Sequence, residues 1–271
     1  MSDIADLFTS VALPVMPEVG LALINTLDEP RTSLQTIGAL IARDPTLSAK
    51  LLALANSAAF GLSRRVDSLD HALRLVGLSR MRTLALSACL HNAFSVPEGI
   101  DSVDFWRYST DCAGYAQWLA GGLEGRLEVD AHQAWLLGLM LRLGELIIVH
   151  ARPQALAAIE QSAAAPGQRW AREREAVGFD ETEVTAELAR RWNFPTDFVH
   201  ALLLASAPLT EAKVTPMAGV LHLAALLADQ PDADAGAIET LPVPLMGALE
   251  LKYGWMKSSF PDSNGFIDIT S

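Results

Sequence analysis

The chain carries the apolar run AWLLGLMLRLGELIIV at Ala134–Val149, and this is the stretch that decides its fold. Leucine and isoleucine dominate the run, which predicts a core helix over His132–Ala151. Arg142 and Glu145 interrupt it, so the run is too short and too charged to cross a bilayer. We therefore expect a protein that packs this helix inside itself and has no membrane span.

The composition favours an all-α fold. Hydrophobic residues make up 51% of the 271 residues, Ala and Leu dominate, and the alternation typical of β-strands is nearly absent. The N-terminus Met1-Ser2-Asp3-Ile4 lacks the basic and apolar regions of a secretory signal. Cys89 and Cys112 are too few for a disulfide framework, so we expect reduced, buried thiols in a cytoplasmic protein.

Local helix signals divide the chain into two predicted lobes. Ser33 is a candidate N-cap, and Asp44-Pro45 combines an N-cap with a first-turn proline, which starts a helix at Pro45–Ala55. Turn-forming residues at 95–99 mark a boundary. The sequence predicts a bundle of about five short helices over residues 1–97, a second helical lobe over 98–257, and a flexible polar tail over 258–271.

Six short motifs occur in an order that points to a family. In chain order they are LPVMP (13–17), IARDPTL (41–47), LANSAAFG (54–61), VDSLDHA (66–72), LVGL (75–78) and RTL (82–84). Together they resemble the HDOD family, the HD-related output domain of bacterial signalling proteins. The resemblance extends from about Leu13 to Trp192. It implies an all-α, two-lobed protein in which an N-terminal helical bundle precedes a degenerate HD-like helical core.

The resemblance also locates the positions at which an HD enzyme binds its metal. The first metal-binding histidine corresponds to Tyr108, the His-Asp dyad to Leu141-Arg142, and a later histidine pair to Ala205-Ser206. Leucine offers no lone pair to a metal, and arginine brings a permanent positive charge. The resemblance therefore implies a protein that is not an enzyme and that uses no metal or other cofactor.

A search for catalytic motifs that does not use the family leads to the same expectation. No two histidines have the i,i+3 or i,i+4 spacing that places two metal ligands on one helical face. The sequence also lacks a nucleophile elbow and the glycine-rich loops that bind phosphate. The histidines are His71, His91, His132, His150, His200 and His222.

Charge is distributed unevenly along the chain. Residues 1–100 contain 8 Lys and Arg against 9 Asp and Glu, whereas residues 101–271 contain 12 against 23, so the net charges are −1 and −11. An acidic protein repels phosphate at long range. We therefore expect neither nucleic acid nor an anionic membrane surface as a partner.

One basic cluster departs from this acidic background. It consists of Arg64, Arg65, Arg74, Arg80 and Arg82. The cluster is a candidate surface for an acidic partner or for the phosphate of a nucleotide. The alternative is a solvated helix face in which the arginines bind no ligand.

The most recognisable family motif contains a second group of candidate residues. They are Asn56, Ser57 and Phe60. An Asn-Ser pair at a helix end can hydrogen-bond free carbonyl groups, and Phe60 can pack under the turn. We expect these three residues to have a structural role.

Three hypotheses follow for the function. The first is a non-catalytic bacterial regulatory protein that acts in signal transduction by binding other signalling proteins. The second is a sensor that binds a nucleotide or another small anionic ligand in the vestigial HD cleft, with Arg142 or the basic cluster neutralising phosphate. The third is a residual metal-dependent phosphohydrolase, which the residues at the dyad position disfavour.

Overall fold

The computed structural model describes residues 4–27, 29, 32–57, 66–123, 127, 129–160, 165–211 and 214–267. These residues form helices and no strand, which confirms the all-α prediction. The α-helices are α1 (Ile4–Ser10), α2 (Glu18–Ile24), α3 (Leu34–Ile41), α4 (Pro45–Ala55), α5 (Leu69–Val76), α6 (Leu78–Ala93), α7 (Ser102–Gly121), α8 (Ala131–Met140), α9 (Leu143–Ala151), α10 (Leu156–Ile159), α11 (Gln168–Val177), α12 (Glu181–Arg191), α13 (Thr196–Leu204), α14 (Pro216–Ala228), α15 (Val243–Ala248) and α16 (Tyr253–Ser258). Short 3-10 helices occur at Pro153–Ala155, Ala237–Thr240 and Ser263–Gly265.

The chain divides into two compact units. The larger unit contains residues 4–13, 96–190 and 196–266, and the smaller unit contains residues 14–95, 191–195 and 267. A division by one boundary near residue 97 misassigns α1, which packs on α9 in the larger unit and whose Leu7 is fully buried. Chain order alone cannot reveal this because α1 and α9 are far apart in sequence.

The smaller unit is a bundle of the five helices α2–α6. Ser33 caps α3 by accepting a hydrogen bond from Thr36 N (3.1 Å), and Asp44 caps α4 by accepting from the backbone N of Thr46 (2.9 Å) and of Leu47 (3.0 Å). Helix α6 contacts α2, α3, α4 and α5, and every residue in 81–90 is buried. The other helices therefore surround α6, which supplies the centre of the core.

Asn56 holds the end of α4 to the chain that leads into α5. Its Nδ2 donates to Leu52 O (2.7 Å) and to Val66 O (2.8 Å), while its Oδ1 accepts from Val66 N (2.7 Å). The side chain thus pairs with both backbone polar groups of Val66, as a neighbouring strand would. These contacts give Asn56 a scaffold role, whereas Phe60 lies outside the described residues.

The core of the larger unit forms around α7, which packs on α8 and α14. Gly138 allows α8 to approach α7 closely, since a Cβ atom there would lie 2.9 Å from both Ala113 Cα and Cys112 O. The expectation that this run is too short and too charged to cross a bilayer is wrong, because Ala131–Ala151 has the length and apolar composition of a membrane span. However, 83% of its most apolar window is buried inside the protein. It is a core segment of this unit.

The C-terminal segment, for which the sequence predicts a flexible tail, contacts α7. The Phe266 ring lies 5.2 Å from the Tyr115 ring of α7, and Trp118 Nε1 donates to Ser259 Oγ (3.1 Å). Gly114 makes room for Phe266, because a Cβ atom there would lie 2.4 Å from that ring. Aromatic side chains of residues 258–266 thus pack on α7, while the flexibility of the tail stays a prediction. Residues 268–271 lie outside the described residues.

We predict that Asn56→Ala lowers the free energy of unfolding by about 1–3 kcal/mol, because both backbone polar groups of Val66 lose the Asn56 side chain as partner, while Leu52 O keeps only the bond from Asn56 N. Urea denaturation followed by circular dichroism measures this change. The matched control is Ser57→Ala, which should stay within about 0.5 kcal/mol of the unmodified protein. Equal effects of the two substitutions would show that the Asn56 bonds do not stabilise the fold.

Candidate functional site

The apolar run does not form the single helix that the sequence predicts. Helix α8 ends at Met140, Leu141 and Arg142 form a turn, and α9 begins at Leu143. Thr185 of α12 satisfies the backbone groups at this break, since its Oγ1 donates to Leu141 O (3.0 Å) and accepts from Gly144 N (2.8 Å). The break therefore depends on a residue more than 40 positions away, which is why local sequence patterns do not reveal it.

The same turn brings α9 against the start of α12. A Cβ atom on Gly144 would lie 2.2 Å from Glu181 O, so glycine permits a contact that no other residue could make without a backbone shift. Glu181 begins α12, and Glu145 follows Gly144 directly. The two carboxylates are thereby brought beside Arg142.

Arg142 lies among three carboxylates and one aromatic ring. Its Nη2 donates to Asp229 Oδ1 (2.9 Å), and its Nε lies 3.5 Å from Glu181 Oε2 and 3.8 Å from Glu145 Oε2. The guanidinium carbon is 3.1 Å from the centre of the Tyr108 ring, which gives a cation-π contact. Only 14% of the Arg142 side chain is exposed. The arginine therefore fills the position that the resemblance assigns to the HD dyad.

A second arginine, Arg169 of α11, extends this cluster. Its Nη2 lies 2.9 Å from Glu145 Oε1, and its Nε lies 3.1 Å from Glu173 Oε1 and 3.4 Å from Glu181 Oε2. It also forms an ion pair with Glu160. We call this set the arginine–carboxylate network; its members are Arg142, Arg169, Glu145, Glu160, Glu173, Glu181 and Asp229.

Further hydrogen bonds reach three oxygens of the network, whereas the buried Glu181 Oε2 accepts none from the described residues. Glu173 Oε2 accepts from Glu181 N (2.7 Å), Glu181 Oε1 accepts from Trp170 Nε1 (3.0 Å), and Asp229 Oδ2 accepts from Gly167 N (2.8 Å). Buried charges are tolerated when they are both paired and hydrogen-bonded. All five carboxylates of the network are paired with a guanidinium group, but the second condition is met only in part, because Glu181 Oε2, Arg142 Nε and Arg169 Nη2 make no hydrogen bond within the described part of the chain.

Burial changes the protonation of these carboxylates. Desolvation raises the pKa of Glu145 and of Glu173 above the ordinary range, and it raises the pKa of Glu181 from 4.5 to about 7. The guanidinium groups of Arg142 and Arg169 oppose the rise at Glu181 but do not cancel it. Glu181 therefore titrates near neutral pH.

A cleft of about 430 Å³ opens above the network. Its ionisable lining residues are six carboxylates and three arginines, so its charge is net negative. The acidic ones are Asp101, Asp104, Asp111, Glu145, Glu160 and Asp229, and the basic ones are Arg107, Arg142 and Arg169. Across the described part of the chain, no group of three or more His, Cys, Asp and Glu side chains has an arrangement that could hold a metal ion.

The structure joins some of the positions aligned with HD ligands and separates others. Tyr108 and Arg142 are in direct contact. Ala205 instead accepts through its carbonyl group from His222 Nδ1 (2.8 Å), and Ser206 Oγ accepts from Arg174 Nη2 (2.7 Å). Ala205 and Ser206 are thus bonded outside the arginine–carboxylate network.

The described members of the predicted basic cluster differ in their exposure to solvent. Arg82 is buried and donates through Nη1 to Thr26 O (2.6 Å), so its assignment to an exposed patch is wrong. Arg80 is half-buried, and burial lowers its pKa. Arg74 is exposed, 3.6 Å from Asp70. Arg64 and Arg65 lie outside the described residues.

Sequence reasoning missed most of the network. Arg169 and Glu173 are four residues apart on one helix, and Glu145 is a charge inside an apolar run; both signals were available. Asp229 carries no comparable signal, because it lies in an acidic turn region and reaches Arg142 only through the packing of α14. Only the folded structure shows which distant carboxylates pair with the two arginines.

Comparison with known proteins now defines the class. Residues 13–208 match the HDOD domain, which is more than half of the chain, and the protein belongs to the HDOD domain family. An uncharacterized protein of Treponema pallidum (strain Nichols) is 27% identical over 195 residues, which are 70% of this chain. The chain spans only 37% of the length of that relative.

Solved structures share the fold. A Shewanella amazonensis SB2B protein described as a candidate phosphohydrolase has a TM-score of 0.79 and 25% identity over 98% of this chain and 97% of its own. A Geobacter sulfurreducens HDOD domain protein of unknown function has a TM-score of 0.72 and 20% identity, covering 93% and 88%. A Marinobacter aquaeolei VT8 protein has a TM-score of 0.75 and 20% identity, covering 96% and 58%.

We predict that Arg142→Met lowers the free energy of unfolding by about 3–5 kcal/mol, because it leaves buried carboxylates without their cation. Urea denaturation at pH 7 measures the loss. Arg74→Met is the matched control, since its ion pair is exposed and should contribute less than about 1 kcal/mol. The network would lose its structural importance if both substitutions had the same small effect.

We also predict that stability falls as pH rises from about 5 to about 7. The folded protein keeps a proton on Glu181 that the unfolded chain has released, since the pKa is about 7 in the fold. This contribution is complete below the ordinary glutamate pKa and is lost as pH approaches 7. Glu181→Gln keeps an oxygen for Trp170 Nε1 and should flatten the slope by up to about 1.4 kcal/mol per pH unit.

The measurement is a series of urea denaturations at pH 5, 6 and 7. The control is Glu175→Gln on the exposed face of α11, whose slope should match that of the unmodified protein. If Glu181→Gln also kept the original slope, the titration would belong to another group.

Proposed function

We propose that this protein is a non-catalytic regulatory protein of bacterial signal transduction that acts in the cytoplasm by binding other signalling proteins. The observation that carries this proposal is the position of Arg142. Arg142 is the residue that the family resemblance aligns with the metal-binding dyad, and its guanidinium group is held by Asp229, Glu181 and Glu145.

The chemical argument rests on charge. Metal-dependent hydrolysis needs a divalent ion that lowers the pKa of a bound water. A divalent ion at this place would be repelled by Arg142 and Arg169 and would compete with them for the same carboxylates. The arrangement favours a scaffold in which arginine has replaced metal and the helical packing is retained.

The descriptions of the structural relatives point in two directions. The Marinobacter aquaeolei protein is described as a candidate signal transduction protein, and the Shewanella amazonensis protein as a candidate phosphohydrolase. The second description keeps hydrolysis as a competing function to be tested. A sensor for an anion receives less support, because carboxylates outnumber arginines in the cleft and Arg142 and Arg169 are already paired.

Affinity capture of the tagged protein from its own host, followed by mass spectrometry, tests the proposal. We expect specific enrichment of at least one signalling protein over a tag-only control. The variant Arg64→Glu/Arg65→Glu should lose that partner if the basic cluster is used. Arg43→Glu/Arg190→Glu makes the same charge change at two other exposed arginines and should retain it.

A parallel assay of phosphate release addresses the competing function. Purified protein supplied with Mn²⁺ or Mg²⁺ should not hydrolyse nucleotides or p-nitrophenyl phosphate above background. Hydrolysis that depends on the added metal and is lost in Asp229→Asn would overturn the non-catalytic proposal.

A further inference from the structure

The cleft above the network has carboxylates that the protein does not fully compensate. Glu145, Glu160 and Asp229 are each paired with an arginine. Asp104 pairs with Arg107 (2.8 Å), and Asp101 caps α7 by accepting from the backbone N of Val103 (2.8 Å) and of Asp104 (3.0 Å). Asp111 differs from all of them: within the described residues it forms no ion pair and accepts no hydrogen bond.

Asp111 is also partly removed from solvent. The residue is half-buried, and burial raises its pKa to about 6, with Arg107 opposing the rise. At neutral pH it is therefore mainly ionised in a place where solvation is incomplete. A carboxylate in this condition gains most from a cation supplied by a ligand.

Tyr108 provides a second, independent sign of a ligand. The residue lines the cleft and is only 7% exposed, yet its hydroxyl group makes no hydrogen bond within the described part of the chain. Arg142 covers the face of its ring, so the hydroxyl is the polar group that remains available. Within the described residues the hydroxyl oxygen is not among the buried polar atoms that lack a partner, so it faces the open cleft, where a ligand can reach it.

These groups lie along one face of α7. Asp104, Tyr108 and Asp111 follow one another at intervals of four and three residues, and all three line the cleft. Such spacing places successive side chains about 5–6 Å apart on the same helical face. The cleft therefore presents a row of oxygen acceptors to a ligand.

We propose that this cleft binds a small organic cation that carries ammonium or guanidinium groups. One cationic group donates to the Asp111 carboxylate and to the Tyr108 hydroxyl, and the acidic residues Asp101 and Asp104 attract the rest of an elongated cation. A cleft of about 430 Å³ is in the range of small-ligand sites. This inference goes beyond the proposed function and does not depend on the identity of any protein partner.

Isothermal titration calorimetry with the 271-residue chain at low ionic strength tests the inference. The probes are spermidine, an elongated polyamine, and agmatine, which carries one ammonium and one guanidinium group; ATP serves as the anionic comparison. We expect saturable binding of at least one cation with one ligand per chain, and weaker or no binding of ATP. No saturable binding of either cation, or tighter binding of ATP, would overturn the proposal.

Three variants locate the site. Asp111→Asn should weaken binding of the cation about five-fold or more, and Tyr108→Phe should weaken it several-fold. Glu175→Gln removes the same charge from the exposed face of α11 and should leave the dissociation constant within about two-fold. Equal weakening by Asp111→Asn and Glu175→Gln would mean attraction by the net charge alone and would refute a site at Asp111.

Asp111→Asn and Tyr108→Phe nearly preserve the shape of the side chain, and thermal unfolding of each variant verifies that the protein still folds. The outcome is independent of the capture experiment. Loss of a protein partner would leave cation binding in place, and absence of cation binding would leave the partner in place.

Discussion

The larger unit depends on the mutual compensation of charges that have been removed from water. Two guanidinium groups and four carboxylates are costly to bury alone, and each becomes tolerable only in the presence of the others, while the fifth carboxylate, Glu160, stays exposed. The members come from different elements: Arg142 precedes α9, Arg169 belongs to α11, Glu181 begins α12, and Asp229 follows α14. Any displacement of one helix would leave a buried charge unpaired. The network therefore fixes how these helices pack against one another. Hydrophobic contacts are not directional and would define this packing less sharply.

This compensation explains the broken helix between Met140 and Leu143. A continuous helix would have to carry the Arg142 side chain on a regular helical face. The turn instead takes Arg142 off the regular helical face. Thr185 Oγ1 supplies hydrogen bonds to Leu141 O and Gly144 N in place of the helical backbone bonds that the turn removes. Gly144 then permits the close approach of Glu181. The polar break is therefore part of the charge site, although it interrupts the most apolar stretch of the chain.

Local chemistry was predictable from the sequence, and long-range pairing was not. The caps at Ser33 and Asp44 and the start of α4 at Pro45 were correct because each depends on neighbouring residues only. The grouping of Arg82 with a surface patch was wrong, because closeness in sequence does not decide which helical face points inward.

The same distinction holds at the candidate site. The sequence singled out Arg142 through its place in an apolar run and through the family resemblance. It could not provide the partners, since Glu181 and Asp229 reach Arg142 from 39 and 87 positions away. Whether Arg142 was free for an anionic ligand depended entirely on those partners. The structure shows it paired, which removes the main argument for a phosphate site at that residue.

The arginines of the network leave the cleft with an uneven distribution of compensated charge. A guanidinium group is bound to its own chain, so it compensates only the carboxylates that it can reach. Arg142 and Arg169 pair with Glu145 and Asp229 of the cleft lining, while Asp111 on α7 stays beyond the ion pairs of both. The protein itself therefore neutralises one side of the cleft, and the side formed by α7 keeps an excess of negative charge. A cavity with this distribution of charge favours an organic cation over a phosphate group.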